Sequence, residues 1–172
     1  TEMWSGAGRP GMSLNHIMGA TLSFNIIKVD RENGFALASR KSAMKTRRSY
    51  FAHRAELNTP GTRLKCRVID VGPVRCTVEC YGHDIRLTQK DLCYMSVSDL
   101  RNVYRPGQEL DCVVTDYDAD ADRLRISVKA ALSDPFEGAE RRHPVNSRRQ
   151  AVISGKYAGG VFCNLPDGTV CM

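Results

Sequence analysis

The sequence lacks the features of a membrane or secreted protein. It has no hydrophobic run near the roughly twenty residues that a membrane-spanning helix requires, and no apolar segment near Thr1 resembles a signal peptide. Its hydrophobic content of 42% and charged content of 26% are ordinary for a globular chain. We therefore expect a cytoplasmic protein with no membrane partner, and 172 residues allow one or two domains.

The chain also lacks the common catalytic motifs. It has no Gly-x-x-x-x-Gly-Lys phosphate-binding loop, no His-Glu-x-x-His zinc motif and no nucleophile elbow. Its four histidines, at positions 16, 53, 83 and 143, are scattered among different predicted elements. These absences predict a protein that is not an enzyme and that has no cofactor.

Cysteine is present, but not in a pattern that indicates disulfides or metal. The seven cysteines are an odd number and include no Cys-x-x-Cys knuckle. Cys66, Cys80 and Cys112 fall at inward positions of predicted strands, so we interpret them as small core residues in a reducing compartment. The alternative is a zinc site built from Cys76, Cys80, His83 and Cys93. Strand residues do not converge easily on one ion, and the acidic turn 116–122 lacks the glycine and distal glutamate of a calcium loop, so no metal site is predicted.

Residues 60–132 have the pattern of one complete β-barrel. Apolar and cationic residues alternate from Arg63 to Val68, as in a strand with one buried face. A short helix carrying Leu100 is predicted between the third and fourth strands. The five predicted strands cover residues 61–70, 74–81, 85–88, 110–115 and 123–129. Three strands, a short helix and two strands suit a five-stranded OB barrel.

The same stretch resembles a known RNA-binding repeat. It contains Pro60-Gly-Thr-Arg-Leu-Lys-Cys-Arg-Val68, then Val103-Tyr-Arg-Pro-Gly-Gln-Glu-Leu-Asp-Cys-Val113, and then Arg123-Leu-Arg-Ile-Ser-Val-Lys129 after Asp118. This succession is similar to the S-one motif, the RNA-binding OB repeat named after the largest protein of the bacterial small ribosomal subunit. The resemblance implies that Asp118 and Arg123 fix the binding loop and contact RNA.

The flanking segments match parts of the same repeat. Residues 1–41 contain a strand, an aspartate, a turn and a strand ending in Ser-x-Lys, which is typical of the C-terminal half of a repeat. Residues 147–172 resemble the N-terminal half of a further repeat. A linker helix is predicted over 42–59 and an extended linker over 133–146.

The predicted fold class is therefore all-β dominated. We expect tandem five-stranded OB barrels, of which one is complete and flanked by partial repeats, with a linker helix. A half-barrel leaves sheet edges open. The terminal halves are therefore expected either to pair with each other in one composite barrel or to belong to a longer protein.

Charge is distributed unevenly along the chain. The net charge is +6, yet residues 61–132 hold eleven cations and eleven anions, whereas residues 1–60 hold nine cations and four anions. Lys41, Lys45 and Arg48 share one face of the linker helix and are candidate phosphate contacts. A solvated helix face is the alternative interpretation.

Cations also mark the outer face of the first three barrel strands. An OB fold commonly binds a single nucleic-acid strand on this face. Solubility alone is the alternative reason for cations at outward positions. The predicted RNA-binding cations of the barrel are Arg63, Lys65, Arg67, Arg75 and Arg86.

The central repeat departs from the S-one pattern at its stacking positions. Members of the family usually have an aromatic residue in strand two and a histidine near the end of strand three, where this chain has Thr77 and Thr88. Two of the candidate stacking residues have an alternative role in packing. Tyr81 could pack over the barrel mouth, and Phe162 could pack in the core. The candidate stacking residues are Tyr81 and His83 in the central turn and Tyr157 and Phe162 in the last partial repeat.

These features predict a noncatalytic single-stranded RNA-binding protein of tandem OB repeats that is associated with the ribosome or with translation. Its partner would be mRNA or rRNA. The first alternative is a protein-docking scaffold of S-one-like repeats within the ribosome or another protein assembly. The second is an accessory domain of an RNA-processing enzyme. RNA affinity falls steeply with salt, which distinguishes the first hypothesis from apolar protein docking.

Overall fold

The computed structural model describes residue 19 and residues 21–172. The first part of the partial repeat predicted over 1–41, residues 1–18 and 20, lies outside the described residues. The strands are β1 (Asn25–Asp30), β2 (Phe35–Ser39), β3 (Arg63–Val71), β4 (Arg75–Cys80), β5 (His83–Thr88), β6 (Glu109–Asp118), β7 (Arg123–Ser127), β8 (Val152–Tyr157), β9 (Gly160–Asn164) and β10 (Val170–Cys171). The helices are α1 (Arg40–Ala52), α2 (Ala55–Asn58), α3 (Gln89–Leu92) and α4 (Ala139–Arg142), with short 3-10 helices over Leu100–Asn102 and Lys129–Ala131.

The five central strands form one antiparallel sheet in the order β5-β4-β3-β6-β7. Its two edge strands, β5 and β7, lie beside each other, so the sheet curls into a nearly closed barrel. This strand order is consistent with an OB fold. Among the described residues, only this sheet is a complete barrel, and the tandem arrangement stays a prediction.

The inward side chains of these strands fill the barrel. Cys66, Cys80 and Cys112 are buried, as their positions in the alternation predict, and all seven cysteines are free. Cys76 is buried as well, and burial raises the pKa of its thiol to about 12. The neutral thiol of Cys76 therefore serves β4 as a small apolar residue. The aliphatic side chains that share this core are Leu64, Val68, Val78, Leu87, Val114, Leu124 and Ile126.

Helix α1 closes one end of the barrel. It begins after Ser39, whose hydroxyl accepts a hydrogen bond from the Ser42 N–H at 3.1 Å. Near its other end, the Phe51 ring is 0% exposed and packs edge-on against Tyr117 at 5.1 Å between ring centroids. The helix is therefore part of the barrel core and not a free connector.

The predicted linker over 42–59 is two helices in the structure. Helix α1 ends at Ala52, and α2 covers only four residues after a break. The amide of Asn58 donates hydrogen bonds to the carbonyl oxygens of Phe51 and Ala52, both at 3.2 Å. These bonds satisfy carbonyl groups that the end of a helix leaves without partners.

The β4–β5 turn allows α1 to approach closely. Tyr81 and Gly82 both have positive φ, at 45° and 82°. A Cβ atom on Gly82 would overlap the carbonyl oxygen of Met44 in α1. Glycine is therefore required both by the turn and by the packing of the helix on it.

The connection between β5 and β6 differs from the single short helix predicted around Leu100. Helix α3 follows β5 directly, and a capping box between Thr88 and Asp91 begins it. Leu100 is buried in a separate 3-10 helix, which is capped by the side chain of Asp99. Val103, which follows the last residue of this 3-10 helix, is exposed.

The terminal strands form two further sheets, β1-β2 and β10-β9-β8. They do not pair with each other in the described part of the chain, so the composite barrel within one molecule is not formed. Both sheets expose large apolar side chains, including Ile26, Val29 and Ile153. A sheet with so few strands cannot cover both of its faces, which is the physical reason for this exposure.

The last sheet is joined to the rest of the chain by polar contacts. Asn164 donates a hydrogen bond to the carbonyl oxygen of Ser96 at 3.0 Å. Asp167 accepts from Arg142 at 2.9 Å and lies 2.7 Å from His143. These bonds hold the turn before β10 against α4.

Candidate nucleic-acid interface

The three predicted cations of β3 point outward, but two of them lie opposite acidic residues of β6. The register places Lys65 opposite Asp111 and Arg67 opposite Glu109 on β6. The charged atoms are 3.5 Å apart in the first pair and 3.3 Å apart in the second. Two of the three predicted β3 cations are therefore compensated within the protein, which weakens their attraction for phosphate.

Arg63, the third β3 cation, faces a neutral residue. Its register partner on β6 is Val113. The guanidinium donates to the carbonyl oxygen of Ala131 at 3.3 Å and is otherwise exposed.

Arg75 and Arg86 occupy a different electrostatic setting on β4 and β5. The register places Arg75 opposite Thr88 and Arg86 opposite Thr77, so neither has an acidic residue across the strand pair. Both arginines are exposed, and no described carboxylate forms an ion pair with either. This part of the outer face therefore carries two cations with no acidic residue across the strand pair, and their contact with RNA stays a prediction.

The other end of the same face is occupied by a buried ion-pair network. Arg40, 1% exposed, donates two hydrogen bonds to Asp84, at 2.7 and 3.0 Å, and one to Glu79 at 3.4 Å. Burial lowers the pKa of Arg40, but its hydrogen bonds and the charge of Asp84 outweigh that effect and raise it overall. Arg47 adds a second cation 3.4 Å from Glu79. This network attaches the first turn of α1 to the barrel.

Asp118 and Arg123 lie at the two ends of the β6–β7 hairpin loop. Their charged atoms are 3.6 Å apart, and the register pairs the two residues directly. Asp118 also accepts a hydrogen bond from the Ala121 N–H at 3.0 Å, which ties down the loop. The Arg123 side chain stays 59% exposed. This geometry suits the roles that the S-one resemblance implies, and those roles stay predictions.

The two aromatic candidates of the central turn lie beneath α1. His83 is 6% exposed, and its Nε2 atom lies 2.9 Å from Asp122. Phe51 and Tyr117 pack edge-on with its ring at 5.7 and 6.2 Å. This burial does not fit base stacking by His83. Tyr81 is half-buried and packs against Phe51 at 5.3 Å, which covers part of its ring.

The three cations that the sequence predicts as phosphate contacts on α1 divide into two groups. Lys41 and Lys45 are exposed. Arg48 is half-buried and bonds to Asp122 at 3.1 Å, beside His83. Arg48 therefore holds α1 against the β6–β7 loop, and its charge is already compensated.

Tyr157 and Phe162 meet on the β8–β9 hairpin. Their ring centroids are 5.1 Å apart, with the planes tilted by 36°. Tyr157 is exposed and Phe162 is half-buried. A Cβ atom on Gly159 would lie 2.9 Å from the Tyr157 ring, so the glycine allows the ring to approach the turn closely. This exposed tyrosine is an available surface for a base.

A cleft beside α3 was not predicted from the sequence. It is an open cleft with a volume of about 550 Å³, and its lining includes Lys90, Tyr94 and Lys129. The Nζ atom of Lys129 lies 4.3 Å from the centroid of the Tyr94 ring. Thr88, the register partner of Arg75, also lines the cleft. The only sequence signal was Lys129 itself, as the last residue of the closing motif.

The described residues contain neither a candidate metal site nor a candidate membrane-spanning helix. No group of three or more histidine, cysteine, aspartate or glutamate side chains in residues 21–172 is placed to hold a metal ion. Within the same part of the chain, no helix is long and apolar enough to cross a membrane.

Comparisons with known proteins relate the chain to one group. The small ribosomal subunit protein bS1 of Neisseria meningitidis is 25% identical over 165 residues, which cover 93% of this chain and 29% of the relative. The bS1 protein of Coxiella burnetii is 30% identical over 151 residues, covering 86% of this chain and 27% of the relative. The resemblance to the S-one family is confirmed. The chain spans less than a third of the length of these S-one relatives.

The remaining comparisons add little to this relationship. No protein-family model matches the chain. A solved chain from the a/eIF2alpha-aDim2p-rRNA complex of Pyrococcus horikoshii aligns with 48% of this chain and 51% of its own length, at 13% identity and a TM-score of 0.38. A similarity this low carries no argument about function. The S-one relationship therefore depends on the bS1 sequences.

Proposed function

We propose that this chain is a noncatalytic protein that binds single-stranded RNA through its S-one barrel and acts with the ribosome in the cytoplasm. Its RNA partner would be mRNA or rRNA. The names of its relatives, which are small-subunit ribosomal proteins, support the association with translation. A tandem arrangement of such repeats is part of the proposal.

One observation carries the RNA-binding proposal. Arg75 and Arg86 lie on the outer face of the β4–β5 pair, opposite threonines and not opposite acids. Single-stranded nucleic acid binds OB folds through backbone electrostatics and base stacking. An exposed guanidinium with no carboxylate partner loses no internal ion pair when it binds phosphate, whereas Lys65 and Arg67 would have to exchange one.

The proposal is tested with two variants of equal charge. Arg75→Ala with Arg86→Ala removes the two uncompensated cations, and Lys65→Ala with Arg67→Ala removes two compensated ones. Both variants lower the net charge by two, so the long-range electrostatic attraction of the protein for RNA falls equally in both. The measurement is fluorescence anisotropy of a labelled oligouridylate RNA at several salt concentrations.

We expect wild-type affinity to fall as salt rises. The Arg75 and Arg86 variant should lower the slope of log K against log salt by about 1.4, because each phosphate contact contributes about 0.7 for single strands. The Lys65 and Arg67 variant should keep most of that slope. If the two variants lose equal amounts of the salt slope, the β4–β5 face is not the RNA-binding site. If the wild-type protein does not bind RNA at low salt, the RNA-binding proposal is wrong.

A further inference from the structure

We infer that the cleft beside α3 holds one nucleotide of a bound RNA strand, with Lys90 and Lys129 on its phosphate and Tyr94 positioning Lys129. The inference rests on the proposed RNA binding and adds a site that the sequence did not predict. The cleft lies between the start of β4 and the segment that follows β5. Its volume of about 550 Å³ lies within the range of about 300–1,000 Å³ that is typical of ligand pockets.

The lining of the cleft combines cations with apolar walls. Lys90 and Lys129 are its charged residues, and Pro73, Val74 and Val97 supply apolar surface. No aspartate or glutamate is among the described residues that line it. A phosphodiester needs positive charge, and the attached ribose and base need apolar contact, so this composition suits a nucleotide.

Lys129 is held in place before any ligand arrives. Its ammonium lies over the Tyr94 ring at 4.3 Å, and the residue is half-buried in the 3-10 helix that follows β7. No described carboxylate pairs with it. A cation that is fixed by an aromatic ring loses less side-chain entropy on binding phosphate than a free lysine does.

Lys90 is placed by the structure that begins α3. The Thr88 hydroxyl donates to Asp91 at 2.8 Å, and the Thr88 N–H donates to the same carboxylate oxygen at 2.9 Å. These bonds fix the backbone on both sides of Lys90. They also occupy the nearest carboxylate, so Asp91 caps the helix and does not line the cleft.

The cleft continues the cationic surface of β4 and β5. Thr88 lines the cleft and is the register partner of Arg75, and Arg86 is the preceding outward residue of β5. A single strand that contacts Arg86 and Arg75 therefore reaches Lys90 and Lys129 without crossing an acidic residue of these strands. The four cations form one path along the barrel.

The test uses Cys93, which lines the cleft and is half-buried. The full chain is treated with iodoacetamide with and without a saturating oligouridylate RNA, and alkylation of Cys93 is followed by mass spectrometry. We expect bound RNA to slow this alkylation at least fivefold. In parallel, fluorescence anisotropy measures RNA binding by two double variants. The cleft variant carries both Lys90→Ala and Lys129→Ala. The matched control carries both Arg31→Ala and Arg54→Ala, and neither of these arginines lines the cleft.

The cleft variant should lower the slope of log K against log salt by about 1.4, because it removes two phosphate contacts, and the control variant should leave this slope unchanged. Lys90→Arg with Lys129→Arg should restore the slope, because charge is kept. Tyr94→Phe should bind as wild type, whereas Tyr94→Leu should lose part of the slope by releasing Lys129. If RNA binds but leaves Cys93 alkylation unchanged, or if the cleft and control variants behave alike, the inference is wrong and RNA binding stands. If wild-type protein does not bind RNA, both proposals fail.

Discussion

Replacing Gly82 with alanine tests whether α1 is an integral part of the barrel. The added methyl group would overlap the carbonyl oxygen of Met44, which belongs to the helix backbone and cannot rotate away. The helix must therefore move outward. Because Phe51 lies on the same helix and is fully buried against the barrel, this movement exposes part of its ring.

The expected loss of stability has two parts. An alanine at φ 82° costs about 1–2 kcal/mol for the left-handed conformation alone. Partial loss of Phe51 packing adds to this, with complete removal of a buried phenylalanine side chain worth about 3–5 kcal/mol. We expect a total of about 3 kcal/mol or more in the free energy of unfolding.

Gly61→Ala is the matched control. Gly61 also has positive φ, at 93°, but no atom lies within 4 Å of the place where its Cβ would be. This variant should lose only the conformational part, about 1–2 kcal/mol. Urea denaturation followed by circular dichroism measures both. If the two variants lose equal stability, α1 does not pack on the β4–β5 turn as the structure shows.

Two further variants test the ion pairs. Arg40→Met should lower the free energy of unfolding by about 3 kcal/mol in urea titrations, because it removes both hydrogen bonds to the largely buried Asp84 carboxylate and leaves buried Glu79 with Arg47 as its remaining ion-pair partner. Lys65→Met, in an exposed pair, should change it by about 0–1 kcal/mol, and equal losses would contradict the assigned burial. Hydrogen bonds, chiefly with His143, hold the pKa of Asp167 below its ordinary value. Its contribution to stability is thus complete above about pH 4 and falls as the pH drops towards its native pKa. Asp167→Asn should therefore be less stable than wild type at pH 6, with a gap that narrows at pH 3, and a gap independent of pH would refute this role.

The strands of the central barrel were predictable because their pattern is local. Alternation between Arg63 and Val68 marks the two faces of β3 without knowledge of its neighbours. The same reasoning identified the burial of Cys66 and Cys112. Helix ends were harder to predict. At the break after Ala52, the Asn58 side chain donates a hydrogen bond to the Ala52 carbonyl oxygen, a contact that no periodicity reveals.

The candidate site was only partly predictable. Outward cations were recognised on three strands, but their effective charge depends on the residues across the sheet. Lys65 is opposite Asp111, whereas Arg86 is opposite Thr77. Strand register is a nonlocal property, and a strand that is adjacent in the barrel can be distant in the chain. His83 was misread for the same reason, since the residue that covers it, Phe51, comes from a preceding helix.

The sequence by itself determined the order of the barrel strands, their inward and outward faces and the S-one relationship. These depend on periodicity and on motifs that are contiguous in the chain. Only the tertiary structure decided which cations are neutralised, that Arg40 and Phe51 attach α1 to the barrel, and that Lys90, Tyr94 and Lys129 meet in one cleft. Coulomb attraction and packing depend on distances of a few ångströms between atoms, and folding sets those distances independently of separation along the chain.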